Sequence, residues 1–166
     1  MADLLVIRHG EPTLSGVFLG SLDPGLSETG WKQARAIQLD SAWPVYASPL
    51  RRAQETASVF RTPVTLIEEF REISYGPWEG LRWDEIEQRF PEEAARKLAD
   101  WLGYTVPGAE SWSAFRKRVA VGLRRIEGSA IVVAHLGVNS VLRELSSGES
   151  PLNFQQDYGG LVRLKL

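Results

Sequence analysis

The chain contains only two histidines, and both stand in the same kind of place. His9 follows the apolar run Leu4–Ile7 within Arg8-His9-Gly10-Glu11, and His135 follows the apolar run Ala130–Ala134. A strand that ends in a guanidinium, an imidazole and a glycine is equipped to meet an anion. Arginine offers a planar fork that grips phosphate or carboxylate through charge-assisted bonds. Glycine lets the backbone come close to a ligand. An imidazole held among cations loses basicity, stays neutral and keeps a lone pair for attack. Arg51 supplies a second guanidinium one helical turn beyond Val45–Ala47. The helix starting near Pro49 would turn its N-terminal amides the same way.

For these side chains to meet, the elements before them must lie side by side. Leu4–Ile7 and Ala130–Ala134 are short and apolar without alternation, the pattern of strands covered on both faces. Pro44–Ala47, Pro63–Ile67 and Leu161–Leu166 read as further strands. Ser27–Leu39 reads as a helix capped by Ser27. A second helix opens at Ser48-Pro49 and carries Leu50, Ala53, Ala57 and Phe60 at helical spacing. Glu68–Gly80 reads as a loop, and Leu81–Gly103 as one or two helices broken near Pro91. Ser111–Glu127 and the stretch bearing Val138, Val141, Leu142 and Leu145 complete the helices. Strands alternating with helices predict an α/β fold: a three-layer sandwich with a largely parallel central sheet flanked by helices. A single domain over 1–166 is expected, with a small helical cap over roughly 79–109. Ligands in such folds bind beyond the carboxyl ends of the strands. Arg8, His9, Arg51 and His135 are all expected at that edge.

Composition excludes several classes. With 166 residues and 43% hydrophobic content, the chain can bury a sizeable core. A net charge of −2 argues against a broad nucleic-acid-binding face. The absence of cysteine removes disulfides, thiolate metal sites and cysteine nucleophiles. No stretch reads as a secretory leader or approaches the roughly 18 apolar residues of a membrane span. A cytoplasmic location with no membrane partner is therefore expected.

Four ordered blocks carry a resemblance: RHGE at Arg8–Glu11, SPLRRAQETA at Ser48–Ala57, REISYGPWEG at Arg71–Gly80 and VVAHLG at Val132–Gly137. Together they resemble the histidine phosphatase superfamily, which includes phosphoglycerate mutases and related phosphomonoesterases. RHGE alone would arise by chance on the order of once in a thousand chains of this length; four blocks in order are far more specific. The resemblance implies that His9 is the nucleophile and forms a phosphohistidine. It implies that Arg8, Arg51 and His135 hold the phosphoryl oxygens. Ser15, Gly20 and Leu136 are further substrate-binding expectations. Glu72 would give a proton to the leaving alkoxide and later take one from water. Phosphoryl transfer needs mainly positioning and charge stabilisation, and a carboxyl serving as acid needs a raised pKa. No metal or other cofactor is expected, and the partner is a small phosphomonoester or inorganic phosphate.

Within that family, hydrolysis is expected over mutase activity. Mutases carry extra cations beyond the glutamate; here Gly80-Leu81 leads to Arg82-Trp83, and Trp101 is followed by Leu102-Gly103. Pro12 and Ser15 stand where mutases have serine and asparagine. The chain stops with its last predicted strand, so no tail closing the site is expected. The ending Gln156-Asp157-Tyr158-Gly159-Gly160 resembles α-ribazole-phosphate phosphatases, which makes α-ribazole phosphate the finer expectation. The alternatives are a phosphoglycerate mutase and a non-catalytic phosphate-binding protein. The latter gains its weight from Leu136, where the family usually has glycine.

Overall fold

The computed structural model describes residues 1–166. Five strands form one sheet: β1 (Asp3–Arg8), β2 (Val45–Ala47), β3 (Val64–Leu66), β4 (Ala130–Ala134) and β5 (Leu161–Lys165). Their order across the sheet is β3-β2-β4-β1-β5. Four strands run parallel, and β5 closes one edge antiparallel to β1. The ends of β2, β4 and β1 are therefore neighbours.

The apolar runs do not alternate because both faces of the sheet are covered. Leu4, Val6, Ala130, Val132 and Ala134 face one layer, packed on Phe115, Val119, Val138, Val141 and Leu142. Those residues lie on α5 (Trp112–Leu123) and α6 (Leu136–Ser147). Leu5, Ile7, Val45, Ala47, Ile131 and Val133 face the other layer, with Ala53, Ala57 and the partly buried Ile37. This layer contains α1 (Glu28–Arg35) and α2 (Arg51–Ser58). The arrangement is the predicted three-layer α/β sandwich. No helix is long and apolar enough to cross a membrane.

The caps explain where several helices begin. Ser27 accepts from the Gly30 amide at 3.0 Å, and Ser111 accepts from the Ala114 amide at 3.1 Å. Pro91 divides the helical stretch into α3 (Trp83–Arg89) and α4 (Pro91–Ala99). Their apolar faces join Trp78 and Val106 in a small separate core that includes Ile86 and Ala94. Ser48 departs from expectation, because α2 starts only at Arg51. The Ser48 hydroxyl instead accepts from the Leu50 amide and meets the His135 ring at 2.8 Å.

Candidate active site

The carboxyl ends of β1 and β4 bring the two histidines together. Arg8 pairs with Ala134 in the parallel register, so the residues that follow meet side by side. The His9 and His135 rings lie 5.2 Å apart between centroids. His9 is buried, and its Nδ1 lies 2.7 Å from the Gly10 carbonyl oxygen. A carbonyl can only accept, so Nδ1 carries the proton and Nε2 keeps the lone pair. Burial, with the Arg52 and Arg8 charges adding to it, lowers the His9 pKa to about 3 against the opposing Gly10 bond. The ring is therefore neutral at ordinary pH. His135 is fully buried, with its pKa pushed well down by burial and by Arg52.

Gly10 is required by close packing of the backbone. A Cβ there would run into the carbonyl of Gly30 at the start of α1. The Gly10 amide is held in turn by the Thr56 hydroxyl of α2 at 3.0 Å. The turn that bears His9 is thereby fixed to two helices.

The cleft over His9 has a volume of about 260 Å³. Its walls include Arg8, Gly20, Arg52, Glu72, Leu136 and Tyr158. Arg8 donates from Nη1 to the Gln156 carbonyl at 2.8 Å and stacks 4.2 Å from the Tyr158 ring centre. Arg52 donates to the carbonyls of Leu22 and Gly20 at 2.6 and 3.1 Å. Neither guanidinium faces a carboxylate within ion-pair distance. The Nε atoms of Arg8 and Arg52 and the Nδ1 of His135 are buried without a protein partner. Buried polar atoms are nearly always satisfied. Two of these atoms belong to guanidiniums that line the cleft, and the third to the His135 ring packed behind His9, so the cleft is built to receive an anion.

Two sequence expectations need correction here. Arg51 does not enter the cleft. Its side chain is 65% exposed and its Nε pairs with Glu55 at 2.7 Å on the outer face of α2. Arg52 takes the place expected of it, because the buried face of this helix is Arg52, Ala53, Thr56 and Ala57. A signal for this exists in the sequence: Arg51 has an ion-pair partner at i+4, whereas Arg52 shares its stripe with small residues. Ser15 is exposed and stands outside the cleft walls. The loop reaches the cleft only from Gly16, whose left-handed φ of 72° redirects the chain inward.

Glu72, Gly20 and Leu136 do line the cleft. The Glu72 carboxylate accepts from the Ile73 amide at 3.0 Å and from the Gly137 amide at 3.1 Å. Burial raises its pKa, opposed by those amides and by the Arg52 and Arg8 charges. A Cβ on Gly137 would push this carboxylate aside, so glycine where α6 begins leaves room for it to sit on the Gly137 amide. The neighbouring acids are committed elsewhere: Glu68 to Arg71, Glu69 to Arg125, and Glu79 to Ser21.

Phe18, Tyr75, Trp83 and Tyr158 also line the cleft, and nothing in the sequence marks them as binding residues. Aromatic residues are more often core, and only their tertiary placement separates Trp83 at the cleft from the fully buried Trp78. No group of three or more histidine, cysteine, aspartate or glutamate side chains is arranged to hold a metal ion.

Known proteins share this fold and between a quarter and about a third of this sequence. The chain is 27% identical to the alpha-ribazole phosphatase of Shigella flexneri, with a TM-score of 0.88 over 99% of this chain and 90% of that one. It is 32% identical to a phosphoglycerate mutase of Thermus thermophilus, with a TM-score of 0.79 over 99% of both chains. It is also 35% identical, over 86% of its length, to a bifunctional protein of Mycobacterium tuberculosis, and spans only 43% of that relative. The model of the histidine phosphatase superfamily (branch 1) matches residues 4–166. The chain belongs to the histidine phosphatase superfamily, branch 1.

Proposed function

We propose that the chain hydrolyses small phosphomonoesters through a phosphohistidine on His9. The observation that carries this reading is the 2.7 Å contact between His9 Nδ1 and the Gly10 carbonyl, in a cleft lined by Arg8 and Arg52. It leaves one imidazole nitrogen unprotonated where a phosphoryl group would be drawn. In the first step the Nε2 lone pair forms a bond to phosphorus and the bond from phosphorus to the ester oxygen breaks. Arg8, Arg52 and His135 stabilise the equatorial oxygens. Glu72, whose pKa is raised by burial, passes its proton to the departing alkoxide. In the second step water attacks phosphorus, Glu72 takes the water proton, and the nitrogen–phosphorus bond breaks to release phosphate.

For the finer substrate, α-ribazole phosphate is supported by the Gln156–Gly160 ending and by relatives named as alpha-ribazole phosphatases. A phosphoserine phosphatase of Hydrogenobacter thermophilus, 30% identical over 81% of this chain and 71% of its own length, supports small phosphomonoesters as the class. Mutase activity is disfavoured because Arg8 and Arg52 are the only cations lining the cleft. A doubly charged intermediate would find no further cation to retain it.

The test is a screen of physiological phosphomonoesters with separate detection of phosphate release and of 2-phosphoglycerate formed from 3-phosphoglycerate. Phosphate release with acid-labile phosphate trapped on His9 is the expected result. Binding of phosphate without turnover of any ester would leave the non-catalytic alternative standing.

A further inference from the structure

A second cavity of about 400 Å³ adjoins the catalytic cleft. The two share Glu72, Tyr75 and Leu136, so the general acid is reached from both sides. The remaining wall is mostly apolar and includes Trp101, Leu102, Trp112, Leu152 and Phe154. We propose that this cavity receives the alcohol portion of the substrate, and that the preferred substrates are monoesters of uncharged alcohols bearing a ring. This inference rests on the hydrolytic reading above and names the substrate class for it.

The chemistry of the first step sets the direction. The ester oxygen leaves opposite the attacking nitrogen and must meet the Glu72 proton. The alcohol therefore extends from beside Glu72. The cleft side of Glu72 is occupied by the phosphoryl group and its two guanidiniums. The other side is the larger cavity.

The charges in its wall decide which alcohol fits. Glu72, neutral while it holds the proton for the first step, is the only carboxylic acid lining it, and no cation lines it to pair with a substrate carboxylate. Ser140 adds a hydroxyl, already donated to the Gly137 carbonyl at 2.7 Å. Two cations stack on rings of its wall, and both are engaged by protein groups rather than lining the cavity. Arg143 sits 5.0 Å from the Phe154 ring centre and is bound to Glu149 and the Ser150 carbonyl. Lys97 lies 5.2 Å from the Trp101 ring and donates to the Tyr104 carbonyl. A carboxylate-bearing alcohol such as serine would lose its hydration there and gain no partner. A neutral ring would gain apolar contact with two tryptophans.

The experiment compares kcat/KM for naphthylethyl phosphate, phosphoserine and 3-phosphoglycerate, all esters of alkyl alcohols with a similar need for a proton. The naphthylethyl ester is expected to lead phosphoserine by about 100-fold. Leu152 is 57% exposed at the cavity wall, so Leu152→Arg adds a cation without disturbing the core. That variant should narrow the preference at least about tenfold, by roughly one carboxylate–guanidinium contact; Leu152→Gln should narrow it less. Equal or faster turnover of phosphoserine by the wild type overturns the proposal. So does a preference that Leu152→Arg leaves unchanged, since the ring would then lie elsewhere, along Phe18 and Trp83. Phosphorylation of His9 by acetyl phosphate is read separately. Its absence would defeat the hydrolytic reading itself, whereas its presence without ring preference defeats only the inference drawn here.

Discussion

The phosphate end and the aromatic side of this site are built by different means. Arg8, His9 and His135 project from the ends of adjacent strands whose register is set by backbone hydrogen bonds. Their positions follow from the sheet, and Gly10 and Gly137 are needed only to let neighbours approach. The aromatic side is assembled from Trp101 and Leu102, the first residue of α5 at Trp112, and the turn carrying Leu152 and Phe154. Its shape depends on side chains packing against each other. A reaction common to many substrates suits the first kind of construction. Selection among substrates suits the second, because side chains there can change without moving the sheet.

Substitutions test this division, beginning at the phosphate end. His9→Ala should lower turnover of p-nitrophenyl phosphate by at least about 10⁴-fold, since no other group can carry the phosphoryl. Undiminished turnover would dismiss the mechanism. Arg52→Ala should cost about 10²–10³-fold in kcat/KM through lost stabilisation of the equatorial oxygens. Arg51→Ala, the neighbouring control, should leave kinetics unaltered and change stability by less than about 1 kcal/mol, as for an exposed ion pair. If the two arginines exchanged effects, the placement of α2 would be wrong.

Glu72→Gln should cost about 10²-fold for alkyl esters and much less for p-nitrophenyl phosphate, because only a poor leaving group needs the proton. Gly137→Ala should resemble it, since the added Cβ displaces the same carboxylate. For alkyl esters, wild-type turnover should fall as pH rises through the raised Glu72 pKa, and Glu72→Gln should lack that limb. Equal losses for both ester types would assign the proton to another group.

The smallest effect concerns stability. His9 in the folded chain binds its proton only near pH 3, against about 6.5 when unfolded. Between those values the unfolded chain holds more protons, so stability falls as pH drops below about 6.5 and the loss is complete near 3. The drop in Tm from pH 7 to pH 5 should be smaller in His9→Asn than in the wild type. An identical drop in both would mean that the imidazole titrates normally.

Much of this is legible in the residue order. The unalternating runs at Leu4–Ile7 and Ala130–Ala134 require a sheet covered on both faces, and that sheet requires its strand ends to share an edge. Two histidines following those runs are placed on one edge, and the adjacency of β1 and β4 in the sheet brings their rings together. Ser27, Pro91 and Ser111 likewise mark helix boundaries through local hydrogen bonding and ring geometry. Ser48 misleads because its hydroxyl has a distant competitor in His135, which no local rule contains.

What the sequence determined by itself, then, was the edge where chemistry gathers, because strand periodicity and helix capping act over a few residues. Tertiary packing alone decided which arginine faces inward, where the loop after Glu11 turns in, and which tryptophans line a cavity. A helix rotates about 100° per residue, so Arg51 and Arg52 differ in sequence by one step and in environment completely. Only the layer packed against that helix selects between them.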